Sequence, residues 1–141
     1  MGQGSIIGYE INEKTCQISF YNEKDLEPDT LEVDTDNYQI PLIIGKLRDT
    51  WAYGKEAKRL VTIKDGFTAT RLLSKSLAGD KIEFGEETYD AVWLLSQFIQ
   101  MSLQSFPEID GIVFTVPSLS EEMAQMLRGI AVRMNIDKRH V

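Results

Sequence analysis

The chain has one cysteine and one histidine among its 141 residues. A lone cysteine excludes an intramolecular disulfide and a thiolate cluster for zinc, which fits a reducing compartment. Cys16 therefore reads as a small buried apolar residue. The histidine, His140, reads as a solvent-facing strand residue. No apolar run approaches the roughly 20 residues that span a bilayer. The start, Met1-Gly2-Gln3-Gly4-Ser5, lacks the basic and apolar regions of a secretion signal, so a cytoplasmic protein is expected. Cations are scarce as well: 15 Lys and Arg face 22 Asp and Glu, a net charge of -7. Nucleic acid and anionic membranes would repel such a surface and are not expected partners. A P-loop lysine motif, a nucleophile elbow and HExxH are all absent.

What is present is an α/β pattern. With 43% hydrophobic and 26% charged residues the chain can bury one real core. Ile112-Val113-Phe114-Thr115-Val116 is a short apolar run rich in β-branched residues, and it reads as a central strand covered on both faces. Val113→Asp is then expected to unfold the domain. Ser118 can cap a helix starting at Leu119, with Glu121 closing a capping box. Met123, Met126, Leu127, Ile130, Ala131 and Met134 give that helix one apolar face, and a further strand is expected at His140-Val141. Near the start, Ile6 to Ile11 and the alternating Cys16, Ile18 and Phe20 form a β-hairpin around a polar turn.

Between these ends the pattern is more broken. Asn22 to Asn37 is strongly acidic, and Leu31 and Val33 suggest one short strand within it. Ile40 to Gly45 reads as a strand entered through Pro41, Trp51 to Gly54 as a small strand, and Lys55 to Leu60 as a short helix. Phe67 and Leu72-Leu73 fall on a second helical piece. Lys81 to Phe84 alternates, and a long helix runs from Glu86 to about Ser105, ended by Pro107.

The order of these pieces resembles the first lobe of the seventy-kilodalton heat-shock chaperones of the DnaK type, within the actin-like ATPase superfamily. Gly8-Tyr9-Glu10-Ile11-Asn12-Glu13-Lys14 sits where that family has its phosphate hairpin, Gly-Ile-Asp-Leu-Gly-Thr-Thr. Gly54-Lys55-Glu56-Ala57-Lys58 resembles its Gly-x-x-Ala-Lys, and Phe67-Thr68-Ala69-Thr70-Arg71-Leu72-Leu73 resembles its Phe-Asp-Ala-Lys-Arg-Leu-Ile. Val113-Phe114-Thr115-Val116-Pro117 resembles its Ile-Thr-Val-Pro. The resemblance implies a ribonuclease H-like, actin-like ATPase lobe: a mixed sheet opened by an antiparallel hairpin, with flanking helices. A core subdomain of about residues 1–39 and 86–141 would carry a smaller inserted subdomain of about residues 40–85.

The resemblance also implies a nucleotide site, and here the sequence departs from the pattern. Asn12, Glu13 and Lys14 replace the hairpin's glycine and threonines, and Glu10 replaces the aspartate that orients water around magnesium. Glu13 puts a carboxylate where phosphate charge should sit. The catalytic lysine falls on Thr70, which has no charge to stabilise a transferring phosphoryl group. Pro117 matches the relay proline, but its arginine partner falls on Gln125. The expectation is an amino-terminal piece of a longer protein, either a chaperone-like ATPase or a non-hydrolysing, filament-type scaffold that kept the fold. ATP and magnesium would bind weakly or not at all in this chain. Its partners would be other proteins, with self-association through an exposed sheet edge.

Overall fold

A computed structural model describes residues 5–22, 29–30, 38–106 and 108–134. The expected strands at Leu31-Val33 and His140-Val141, and the stop at Pro107, lie outside them. Six strands come first: β1 Ser5–Ile11, β2 Thr15–Asn22, β3 Asp29–Thr30, β4 Gln39–Pro41, β5 Ile44–Leu47 and β6 Thr50–Tyr53. Helix α1, Lys55–Lys58, continues as a 3-10 turn over Arg59–Thr62, and β7 Gly66–Ala69 and α2 Leu72–Leu77 follow. The chain then forms β8 Lys81–Phe84, β9 Glu87–Asp90, α3 Ala91–Ser102, β10 Ile109–Thr115 and α4 Glu121–Arg133. The described residues divide into two compact units, one from segments 1–11, 16–39 and 104–141, the other from 12–15 and 40–103.

The first unit is built on a mixed sheet ordered β10-β1-β2-β3, with β10 parallel and β2 antiparallel to β1. The expected hairpin is therefore present, with Ile7 opposite Phe20, Tyr9 opposite Ile18 and Ile11 opposite Cys16. Alternation puts Ile7, Tyr9, Ile11, Cys16, Ile18 and Ile112 on one face, each at most 1% exposed. Tyr9 meets Phe114 edge-on, with ring centroids 5.7 Å apart. The opposite face is open where both faces were expected to be covered: Val113 is 58% exposed. Among the described residues β10 also stands at the end of the strand order and not at its centre. The apolar run in the sequence does not separate one-sided from two-sided burial, because Val113 is as apolar as Ile112.

Helix α4 begins two residues later than the capping-box reading gives. Ser120, not Ser118, is the N-cap, and its hydroxyl accepts from the Met123 N–H at 3.1 Å. This register places both Glu121 and Glu122 in the first turn, against the positive end of the helix dipole. Met123, Leu127, Ile130 and Ala131 form its buried stripe, as their spacing predicts.

Cys16 is buried in the first unit, 3.6 Å from the Tyr9 hydroxyl. Burial pushes its thiol up to about 12, only partly opposed by the Tyr9 hydrogen bond. At pH 8 the native thiolate fraction should fall roughly a thousandfold below that of an ordinary cysteine. Native protein should react with a thiol reagent that much more slowly than protein in denaturant; equal rates would show that the thiol is accessible.

The second unit contains a three-stranded antiparallel sheet ordered β6-β5-β7 and the separate β8-β9 hairpin. Several expectations change here. The stretch entered at Pro41 is two strands, β4 and β5, not one. Phe67 lies on strand β7, and only Leu72-Leu73 are helical, because Arg71 at φ 54 and ψ 42 turns the chain between them. The long helix starts at Ala91, since residues 87–90 pair back onto residues 81–84 around Gly85 at φ 65. Phe98 of α3 is fully buried and meets Tyr53 edge-on at 5.8 Å.

Candidate functional site

The turn Asn12–Thr15 and Thr70 belong to the second unit, whereas Glu10 and Pro117 belong to the first. Within the first unit Glu10 pairs in register with Thr115, two residues before Pro117, and both Glu10 and Pro117 are exposed. Gln125 lies exposed on α4.

Asn12 closes the hairpin turn on itself. Its side-chain Oδ1 accepts the Lys14 N–H at 2.8 Å and the Thr15 N–H at 2.9 Å, and its own N–H donates to the Thr15 carbonyl at 3.0 Å. Local capping of this kind is what asparagine does in turns, where its short amide mimics a backbone carbonyl. The Lys14 carbonyl then accepts the Leu42 N–H at 2.8 Å. Two amide donors of the turn, at Lys14 and Thr15, are thus directed at the chain's own asparagine.

Glu13 is equally engaged. Its carboxylate accepts the Ser74 N–H at 2.8 Å and the Ser74 hydroxyl at 2.7 Å. Ser74 is the third residue of α2, and Arg71 at its N-cap supplies no side-chain cap. The carboxylate therefore satisfies a donor at the helix start from 61 residues away, where its charge also favours the dipole. The sequence reading found the negative charge at Glu13 but not this partner. Neither Arg71 nor a glycine announces a helix start, so no local motif pointed to Ser74.

Thr70 is exposed on the link between β7 and α2. It carries no charge, and the next residue, Arg71, adopts the left-handed conformation that non-glycine residues seldom use. Among the described residues no three His, Cys, Asp or Glu side chains gather as metal ligands. No helix of the described residues is long and apolar enough to cross a membrane.

The fold defines the class: an actin-like ATPase fold. A non-polymerising mutant of the actin-like ATPase MamK bound to AMPPNP matches with a TM-score of 0.64 at 12% identity, covering 94% of this chain. The chain spans 39% of that protein's length. The narrower likeness to heat-shock chaperones has no support in this match. The chain itself belongs to the family of unknown function (DUF5716), whose C-terminal model matches residues 27–141. No curated protein matches it.

Proposed function

We propose that this chain is an actin-like lobe serving protein assembly, as a non-hydrolysing, filament-type scaffold and not as an ATPase. The observation that carries this reading is the closed hairpin turn. The residues at the positions that resemble a phosphate hairpin do not fit a nucleotide. Asn12 already holds the Lys14 and Thr15 amides, and the Glu13 carboxylate occupies the Ser74 donors. A triphosphate would have to displace Asn12 and approach Glu13; a carboxylate about 4 Å from a phosphate charge costs on the order of 4 kcal/mol at intermediate dielectric. That weakens affinity by nearly a thousandfold. Thr70 offers no cation in return, and ATP would find the Lys14 and Thr15 amide donors already taken by Asn12. The actin-like neighbour MamK, matched as a non-polymerising mutant, supports assembly as one use of this fold; that mutant was bound to AMPPNP, so the case against nucleotide in this chain rests on its own turn residues.

Calorimetric titration of MgATP, with phosphate release measured in parallel, tests the reading. The expected result is no saturable heat and no turnover. Tight binding with turnover would overturn it. Glu13→Thr combined with Thr70→Lys introduces the threonine and lysine of the heat-shock hairpin pattern at these two positions, and any turnover should appear only in that variant.

A further inference from the structure

The second unit carries surfaces of opposite charge on the two faces of one small sheet. In that sheet Lys46 stands opposite both Trp51 and Phe67, so these three side chains share a face. Gly45 stands opposite Ala52 and Thr68 on the other face. The helical segment after β6 covers the Gly45 face. Leu60 approaches so closely that a Cβ on Gly45 would lie 2.9 Å from its Cδ1. The β8-β9 hairpin covers the Phe67 face: Phe84 stacks on Phe67 at 5.6 Å, and Tyr89 meets Trp51 at 5.3 Å.

The coverings differ in charge. Residues 55–64 hold Lys55, Lys58, Arg59 and Lys64 against Glu56, a balance of +3 in a chain of net -7. Ala57 and Leu60 anchor this segment from beneath, and its cations point outward. Val61 and Ile63 are 67% and 42% exposed beside them. This apolar pair is held in place, since the Ile63 N–H donates to the Leu60 carbonyl and the Gly66 N–H to the Ile63 carbonyl, each at 3.1 Å. Residues 80–90 hold Asp80, Glu83, Glu86, Glu87 and Asp90 against Lys81, a balance of -4. One carboxylate on this face has an internal partner. Lys46 donates to Glu87 at 3.0 Å and to the Tyr89 hydroxyl at 3.1 Å. The Tyr89 hydroxyl and then Lys46 hold the Glu87 carboxyl below its usual range. The other four acids remain on the surface, with Phe67 and Trp93 partly exposed beside them.

We propose that the basic face of one copy of this chain docks onto the acidic face of the next. This deepens, and rests on, the scaffold reading above. Charge complementarity selects the occupant: the hairpin face offers anions, with Phe67 and Trp93 beside them, to the cations and the apolar pair Val61 and Ile63 of the 55–64 segment. The two patches differ and lie on opposite faces, so the contact is heterologous, and repeating it builds an open chain of subunits unless the rotation closes a ring. Preordered Val61 and Ile63 lower the ordering cost of docking, and the exposed charges set orientation and rate.

Analytical ultracentrifugation of the intact protein at low and high salt is the test. Unmodified protein should associate with rising concentration and dissociate as salt shortens the Debye length to below about 8 Å. Lys58→Glu with Arg59→Glu leaves both faces acidic; Glu83→Lys with Glu86→Lys removes the net negative charge of the hairpin face. All four residues are exposed, so both variants should keep the parent circular dichroism. Each alone should associate at least about tenfold more weakly, since the net attraction between the two faces is gone, while an equimolar mixture, which brings the unchanged acidic face of one variant to the unchanged basic face of the other, should recover association. A monomer at every concentration, association indifferent to either pair of changes, or a mixture no better than its components would overturn the proposal. Any of those results leaves the nucleotide reading to its own titration. Binding to anionic vesicles by a protein that stays monomeric would overturn it too.

Discussion

Ile112→Asp should abolish folding of the first unit. Ile112 is fully buried and pairs in register with Ile7 on the sheet's closed face. Around it that face offers Ile7, Tyr9 and Ile18, with only the Tyr9 hydroxyl as a polar group, and that hydroxyl lies beside Cys16. An unpaired carboxylate there costs several kcal/mol, a large part of a total stability of roughly 5–15 kcal/mol. Val113→Asp, one residue along and 58% exposed, should change stability by no more than about 1 kcal/mol. Denaturant titration of the two variants decides the matter. Equal losses would mean that both faces of β10 are covered, as its apolar composition suggests.

The contrast between Ile112 and Val113 shows what the residues alone make legible. The order of pieces, hairpin first and Thr-Val-Pro late, points to the actin-like fold, because strand alternation at Cys16, Ile18 and Phe20 and the spacing of the α4 stripe are local signals. Junctions without a glycine are less legible. Phe67 to Leu73 looks like one segment until Arg71, in a left-handed conformation, splits it into strand and helix. Gly85 does signal a turn, but it turns the chain into a second strand, where Thr88 and Tyr89 have the β preference that the helix reading passed over. At the candidate site, Asn12 could be read as a turn residue from its type alone. The bond from Glu13 to Ser74 could not, because it joins residues 61 apart and follows no spacing rule. Long-range partners of that kind come only from the fold. They also bear on the function proposed here, because they change Glu13 from a residue merely of the wrong sign into one already in use.

Gly54→Ala should strongly destabilise the second unit. Gly54 precedes α1 with φ 64 and ψ -134, a combination that L side chains essentially avoid. A Cβ there would also lie 2.8 Å from the Ile40 Cγ2. Strain of about 1–3 kcal/mol and overpacking of similar size act together. Gly79 isolates the first effect: its φ is 71, but nothing lies within 4 Å of an added Cβ, so Gly79→Ala should cost about 1 kcal/mol. If chemical denaturation finds equal losses at the two glycines, the Ile40 contact is not tight and the argument from overpacking fails. Gly54 opens the Gly-x-x-Ala-Lys stretch, and fully buried Ala57 lies one helical turn on, so the first two motif positions are set by backbone and packing. What they position is Lys58, Arg59 and the exposed Val61. Gly54→Ala should therefore weaken self-association in the ultracentrifuge even at temperatures where the protein remains folded, and Gly79→Ala should leave it intact.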